Sequence, residues 1–179
     1  RESRARAQGT TVTVHRLFRY FPARLKFLKL RATENSHIAY LLSQYALIFP
    51  EVRFSLMLDK RAILHTAGDG GLRNATSQIY GVETAQRMLE VKDGDAFASV
   101  SGLVSPPSLS RTSRNCLSLF VNRRWIRSPL LTKAVEQAYH GLLMEGKHPI
   151  VILNLSLPGR EIDVNVHPTK INIKFHHEQ

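Results

Sequence analysis

The stretch CLSLFVNRRWIRSPLLTKAVEQAYHGLLMEGKHPIVILNLSL, residues 116–157, places two apolar runs on either side of a helical pattern. Both runs, CLSLFVN (116–122) and IVILNLSL (150–157), have the composition of strands. Between them, Ser128 and Pro129 form a typical helix start. The apolar residues that share one face of this helix, which is expected to run up to Gly146, are Leu131, Val135, Ala138 and Leu142. The stretch therefore predicts a strand, a helix and a second strand.

Working outward toward the N-terminus, the sequence predicts one strand and two helices. TTVTV (10–14) consists of threonine and valine alone, which is typical of a strand. Pro22 suits the first position of a helix. A longer helix is predicted over TENSHIAYLLSQYALIF (33–49), with Thr33 as its N-terminal cap and Pro50 as its end.

The middle of the chain predicts a hairpin followed by a helix. VRFSLML (52–58) alternates with period two, and Asp59-Lys60 turns the chain into RAILHTA (61–67). A glycine cluster then leads to a helix over Leu72–Tyr80, which Gly81 closes.

Further strands are predicted over AFASVSGLVS (96–105), EIDVNV (161–166) and INIKF (171–175). Strands interleaved irregularly with helices indicate an α+β fold of two layers, with helices on one face of a mixed sheet. The residues before Thr33 are expected to belong to a preceding domain.

The net charge of the 179 residues is +11, and this is the most unusual property of the composition. A surface this basic attracts polyanions, so nucleic acid is the first partner expected and an anionic membrane the second. Membrane spanning is not expected, because no apolar run approaches the roughly 20 residues that it requires. The eight histidines and the one cysteine, Cys116, show no metal-ligand spacing, and the cysteine usage fits a reducing compartment.

The segment EIDVNVHPTKINIKF (161–175) holds the first candidate site. Pro168 lacks an N–H and keeps His167 out of the helical region, so a strand must end there. Lys170 follows at once, between two strand patterns. It is either a surface lysine in a solvated loop or a lysine presented to an anion, most plausibly a phosphate.

The segment NRRWIR (122–127) holds the second candidate site, with Arg123, Arg124 and Arg127 around Trp125. Basic residues beside an aromatic residue are typical of non-specific binding to single strands. A buried tryptophan with solvated arginines is an equally good interpretation. Elsewhere, Gly9-Thr10 would let a ligand approach the backbone closely, although one glycine is weak evidence. On residues alone, the chain is a basic α+β domain that binds polyanions.

Three segments in order resemble the MutL mismatch-repair family. GTTVTVHRLFRYFPARLKFLK (9–29) resembles its GT-V-V--LF-N-PAR-KFLK segment, and IDVNVHPTKINIKF (162–175) resembles its DVNVHP-K-EVRF signature. FVNRRWIRSPLLTKAVEQAY (120–139) is similar to its FVNGR segment and the helix after it. Two positions depart from the family pattern, since Arg123 replaces a glycine and Tyr20-Phe21 replace Asn-Thr.

The resemblance implies part of a GHKL ATPase, in which an ATP-binding module is followed by a transducer domain. Residues 1–32 would be the tail of the first and residues 33–179 the second, with a fold like domain two of the fifth small-subunit ribosomal protein. Lys170 matches the lysine that reaches the γ-phosphate of ATP, and Gly9-Thr10 match the last ATPase motif, where the threonine supports the adenine pocket. ATP and Mg²⁺ are expected in the complete protein, whereas this fragment alone, taken as cut from a longer chain, is expected to bind and hydrolyse none.

The partners implied are DNA, whether mismatch-containing or single-stranded, through non-specific backbone contacts, together with MutS and a second copy in the complete protein. Arg123, Arg124 and Arg127 are the expected DNA contacts. A cytoplasmic location in a bacterium is favoured over the nucleus of a eukaryote. Two alternatives are a ribosome- or RNA-binding domain of the same fold without nucleotide use, and the transducer of a type II topoisomerase, whose Gln-x-x-x-x-Lys loop is not found here.

Overall fold

The computed structural model describes residues 8–159, 162–163 and 174–175. By its contacts the chain divides into two units, Arg1–Ser36 and His37–Gln179. The boundary expected from the resemblance, between residues 32 and 33, stays a prediction.

In the first unit, helix α1 (Pro22–Lys26) begins at the proline, as predicted. The strand predicted over residues 10–14 is wrong, because this segment has no regular secondary structure. Threonine and valine favour an extended backbone, but a strand also needs a neighbour to pair with. The sheets that the described residues form do not include residues 10–14.

Helix α2 (Arg31–Ile48) begins two residues before the predicted cap and ends before Pro50, as predicted. Thr33 is therefore inside the helix and is not its cap. Glu34, in the first turn, accepts a hydrogen bond at 2.9 Å from the backbone N–H of Lys29. A carboxylate in this position also complements the positive end of the helix dipole.

The second unit contains most of the helices and strands. In chain order they are β1 (Ser55–Leu58), β2 (Arg61–His65), α3 (Leu72–Tyr80), α4 (Val82–Arg87), β3 (Leu89–Gly94), β4 (Ser99–Val104), β5 (Ser110–Arg111), a 3₁₀ turn (Arg114–Cys116), β6 (Leu117–Val121), β7 (Arg124–Trp125), α5 (Pro129–Ala138), β8 (His148–Pro149), β9 (Val151–Ser156), β10 (Ile162–Asp163) and β11 (Lys174–Phe175). The predicted hairpin turn is confirmed, since Asp59 and Lys60 join β1 to β2 with φ of 50° and 64°.

Five strands form the central sheet in the order β3-β4-β9-β6-β7. All neighbours are antiparallel except β6 and β9, which run parallel from Leu117↔Val151 to Val121↔Leu155. Helix α5 lies in the crossover between these two parallel strands, as a parallel pair requires. The predicted α+β class with a mixed sheet is therefore confirmed.

Hydrophobic clusters cover both faces of this sheet. On one face, Phe120 and Ile152 pack with Leu47 of α2 and with side chains of α3. On the other face, Leu119 and Val151 pack with α5. Neighbouring residues of a strand point to opposite faces, so β6 is buried on both. The helices thus divide between the two faces, whereas a single covered face was expected.

Helix α5 is shorter than predicted, ending at Ala138, and the chain reaches a left-handed glycine at Gly141 with φ 77°. Leu142, expected on the buried helical face, is 59% exposed.

Strands β10 and β11 pair antiparallel, with Ile162↔Phe175 and Asp163↔Lys174. The rest of the strands predicted around them lies outside the described residues.

Candidate nucleic-acid interface

The β6–β7 hairpin presents the NRRWIR segment. Phe120 pairs with Trp125 and Val121 with Arg124 across the two strands. The turn between them consists of Asn122 and Arg123, which have φ of 48° and 61°. Both central residues are left-handed, which is the geometry of a type I′ turn and matches the twist of the flanking strands.

A cleft of about 540 Å³ lies beside this hairpin and the start of α5. Trp125 lies in its wall, with the Arg127 guanidinium 5.2 Å from the ring centroid. Tyr40 of α2 meets the same ring edge-on, at 5.6 Å and 74°. The polar and aromatic residues that line the cleft are Tyr40, Arg114, Asn115, Trp125, Arg127, Ser128, Thr132, Lys133 and Glu136.

The charges around this cleft are mostly basic. Arg114, Arg127 and Lys133 line it beside a single carboxylate, Glu136. That carboxylate is engaged by Arg114 at 2.9 Å and lies 3.7 Å from His148 Nδ1. The cleft therefore keeps a positive surplus, which suits a polyanion.

The N-terminal end of α5 adds to this positive character. Ser128 caps the helix, because its hydroxyl accepts a hydrogen bond at 3.3 Å from the N–H of Leu131. The cap and Pro129 both line the cleft, so the positive end of the helix dipole is oriented toward it. Burial raises the pKa of Tyr40, although Arg127 lowers it in part, so this ring enters the cleft as a neutral phenol.

The three predicted arginines lie in different surroundings. Arg127 lines the cleft with Trp125. Arg123 instead lines a second cleft, also of about 540 Å³, that includes Phe120 and Ile152 of the α2 face. Arg124 is exposed on β7.

Sequence reasoning missed Tyr40, Arg114 and Lys133 as members of the cleft. Lys133 lies little more than one helical turn after the cap of α5, and this spacing could have indicated that it lies near the start of the helix. Tyr40 and Arg114 reach the cleft only through the tertiary fold, so no local pattern marks them.

The residues predicted to contact nucleotide are described only in part. Gly9 and Thr10 are exposed and have no regular secondary structure. Lys170 lies outside the described residues. The β10–β11 pair does bring Asp163 and Lys174, which flank the segment that contains Lys170, opposite each other.

In residues 8–159 and the two short strands after them, no group of three or more His, Cys, Asp or Glu side chains could hold a metal ion. No helix in the part of the chain that the structure describes has the length and apolar character needed to cross a bilayer.

Two solved structures share this fold. The N-terminal domain of a DNA repair protein superposes with a TM-score of 0.70 at 26% identity, over 89% of this chain and 53% of that chain. The Aquifex aeolicus MutL ATPase domain complexed with ADP superposes with a TM-score of 0.63 at 24% identity, over 81% of this chain and 51% of that one. By fold, the chain is thus of the class found in the N-terminal domain of that DNA repair protein and in the MutL ATPase domain.

Sequence comparison identifies the family within this class. The family model "DNA mismatch repair protein, C-terminal domain" matches residues 76–179. The DNA mismatch repair protein MutL of Geobacillus kaustophilus is 42% identical over 178 residues, which cover 99% of this chain and 28% of that protein. MutL of Ligilactobacillus salivarius is 43% identical over 174 residues, which cover 97% of this chain and 26% of that protein. The chain belongs to the MutL family of DNA mismatch repair proteins and spans little more than a quarter of the length of these relatives.

Proposed function

We propose that this chain is the transducer part of a MutL-type mismatch repair ATPase. It binds the DNA backbone without sequence preference at the cleft beside Trp125, and it supplies Lys170 to the γ-phosphate of ATP held by the module before it. The observation that carries the DNA-binding role is the cleft itself, which Arg127 and Lys133 line together with the positive end of α5 and two aromatic rings.

Non-specific binding of a nucleic acid strand needs positive charge for the phosphates and a flat apolar surface for the bases. The cleft offers both within one wall, since Arg127 lies over Trp125 and Tyr40 lies against the same ring. The net charge of +11 acts in the same direction, because it raises the concentration of polyanions around the whole domain.

Two observations support the ATP-linked role. Large apolar side chains of the first unit are strongly exposed, among them Val12, Phe27 and Leu30, each at 80% or more. Exposed apolar surface of this kind is typical of an interaction site, and in this proposal the ATP-binding module packs against it. Gly9 and Thr10 lie in the same unit, where they would contribute to the adenine pocket of that module.

The contact between Lys170 and the γ-phosphate would act as the switch. A charge-assisted hydrogen bond of this type contributes about 1.5–3 kcal/mol. ADP lacks the γ-phosphate, so the contact would exist only before hydrolysis. Such a difference between two ligands is what shifts the balance between two arrangements of domains. ATP and Mg²⁺, the contact with MutS and the self-association belong to the complete protein, and a cytoplasmic location fits this role.

The DNA-binding role is tested by the salt dependence of binding. Fluorescence anisotropy with a labelled single strand, between about 50 and 200 mM salt, should show affinity falling steeply for the wild-type chain. The double variant Arg127→Ala/Lys133→Ala should lower the salt slope by about 1 to 1.5, since each lost phosphate contact removes about 0.7. The control, Lys60→Gly/Lys147→Ala, removes the same charge outside the cleft. Equal effects of the two double variants would place DNA elsewhere.

The nucleotide role is tested in the complete protein. Lys170→Ala should lower ATP turnover without loss of fold, as judged by circular dichroism. Turnover that is unchanged by this substitution counts against the role. Turnover by the 179-residue chain alone that Lys170→Ala abolishes would instead overturn the expectation that this fragment is inactive by itself. Tighter binding of structured RNA than of DNA, together with unchanged turnover, would favour the RNA-binding alternative.

A further inference from the structure

The Asn122–Arg123 turn holds the end of strand β9. Asn122 donates its backbone N–H to the carbonyl of Leu155 at 2.8 Å. Its side-chain amide donates to the carbonyl of Leu157 at 2.9 Å and accepts from the N–H of the same residue at 2.9 Å. These three bonds hold the chain at Leu155 and Leu157, the latter five residues before β10 begins at Ile162.

The other residue of the turn holds the end of helix α2. Arg123 donates from Nη2 to the carbonyl of Ile48 at 3.1 Å and pairs with the carboxylate of Glu51. Its guanidinium also lies 4.6 Å from the centroid of the Phe49 ring. On the main chain, its N–H donates to Oδ1 of Asn154 on β9 at 2.8 Å. The ion pair with Arg123 is the main reason that the pKa of Glu51 is lowered.

The conformation of Arg123 is unusual for an arginine. Its φ of 61° is left-handed, a region that side chains with a Cβ disfavour and that glycine adopts freely. An arginine adopts this backbone conformation at a cost, and here its side chain makes contacts that a glycine would lack. This arrangement indicates a clamp between the hairpin and α2.

We infer that the Asn122–Arg123 turn is a positioning element that couples the DNA cleft to the segment carrying Lys170, with Arg123 as its clamp on α2. This inference rests on the proposed function. The hairpin carries Trp125 in the wall of the cleft, and its turn is bonded to Leu157, which precedes that segment. If the binding of a DNA strand displaces the hairpin, the end of β9 would therefore move relative to α2.

The geometry gives Arg123 a role different from the DNA contact expected from sequence. Its guanidinium is already engaged by Ile48, Phe49 and Glu51. Removing it should therefore leave DNA affinity nearly intact while weakening the response of ATP turnover to DNA.

The test measures ATP turnover of the complete protein with and without a single-stranded oligonucleotide, and in parallel the Kd for that oligonucleotide. Arg123→Gly removes the clamp and leaves the left-handed turn unstrained. The matched control is Lys60→Gly, since Lys60 is also a basic residue at positive φ in a two-residue turn, with φ 64°. Glu51→Gln, which removes only the charge of the partner, provides a second variant if the first folds poorly.

Arg123→Gly should reduce the stimulation of turnover by DNA at least about fivefold, the lower end of typical coupling between sites. Its Kd for DNA should stay within about twofold of wild type, because a single charge that does not touch the strand is screened. Lys60→Gly should match wild type, Glu51→Gln should lose part of the stimulation, and Arg123→Lys, which keeps a charge near Glu51, should recover part of it.

Three results would overturn the inference. The first is full stimulation in both Arg123→Gly and Glu51→Gln. The second is a loss of stimulation matched by an equal loss of DNA affinity, which would make Arg123 a DNA contact. The third is wild-type protein that binds DNA and hydrolyses ATP with no stimulation, in which case the proposed function stands without this coupling. Wild-type protein that neither binds DNA nor responds to Lys170→Ala would instead remove the proposed function itself.

Discussion

Gly102 on β4 lies against the carbonyl oxygen of Ile152 on β9, so closely that a Cβ at position 102 would overlap that oxygen. The φ of Gly102 is 149°, which residues with a Cβ rarely adopt. The two strands pair along their whole length, from Ser99↔Ser156 to Val104↔Val151. The centre of the sheet therefore depends on a glycine at this position.

Gly102→Ala is expected to destabilise the chain by more than about 3 kcal/mol, because the clash involves main-chain atoms that cannot move aside without breaking the ladder. Gly141→Ala is the control. Its φ of 77° is equally unsuited to alanine, but no atom lies within 4 Å of the added Cβ. That control should cost only about 1–2 kcal/mol. Urea unfolding of both variants gives the comparison, and similar losses would show that backbone strain alone is responsible.

Gln44 of α2 is a buried polar side chain that is expected to lower the stability of the fold. It is 1% exposed, and among the described residues neither Nε2 nor Oε1 has a hydrogen-bond partner. A buried amide without partners costs about 1–3 kcal/mol. Gln44→Met, which keeps the length of the side chain, is therefore expected to raise the free energy of unfolding by about 1 kcal/mol. The exposed Gln137 of α5 provides the control, since Gln137→Met should change stability by less than about 0.5 kcal/mol. A loss of stability in Gln44→Met would mean that the amide has a partner in solution.

Ser128 stabilises the start of α5 and with it one wall of the cleft. Ser128→Ala removes the hydroxyl that accepts from the N–H of Leu131, and a loss of about 1 kcal/mol is expected. Ser77→Ala is the contrasting change, because the hydroxyl of Ser77 bonds to the carbonyl of Asn74 inside α3 and alanine is the better helix former. Chemical denaturation should thus show opposite signs for the two serines. Equal effects would exclude the capping role.

Tyr80 makes stability depend on alkaline pH. Burial raises its pKa to about 12, while its hydrogen bond to Ser118 acts in the opposite direction. In the unfolded chain a tyrosine ionises near pH 10. The contribution of the neutral phenol to stability is therefore fully present below about pH 10 and is lost as pH rises through about 12. Tyr80→Phe should make the alkaline decline shallower, as measured by urea midpoints between those two pH values. An unchanged decline would contradict the burial of this phenol.

Local signals were enough to predict several elements. The Ser128-Pro129 start of α5 and the Asp59-Lys60 turn are confirmed, because capping and two-residue turns depend on a few adjacent residues. Helix α3 is also confirmed from Leu72 to the glycine that closes it.

Elements that depend on distant partners were not predicted. Strand β3 (Leu89–Gly94) is largely exposed and contains three charged residues, so its pattern does not indicate a strand. It forms because β4 provides a hydrogen-bonding neighbour. Helix α4 is short, and Arg73 of α3 holds its C-terminal end by donating to the carbonyls of Ala85 and Met88.

In the candidate site too, only the part that depends on adjacent residues could be predicted. Trp125 and Arg127 are neighbours in the chain, so a basic segment around an aromatic residue could be recognised directly. Arg123 points to the end of α2 and not into the cleft beside Trp125, because it pairs with Glu51, which is 72 positions away in the chain. No local pattern carries that information, and only the packing of α2 on the sheet reveals it.

The position of β9 between β4 and β6 has a consequence for synthesis on the ribosome. The strands made earlier, from β3 to β7, can form only two separate hairpins until Val151–Ser156 has left the exit tunnel. Until then, each hairpin exposes the edge that β9 later covers, and such edges are sites of unwanted pairing between nascent chains. Translation that stalls just before Val151 would accordingly release polypeptides that need a chaperone, whereas a stall well beyond Ser156 would leave the sheet complete.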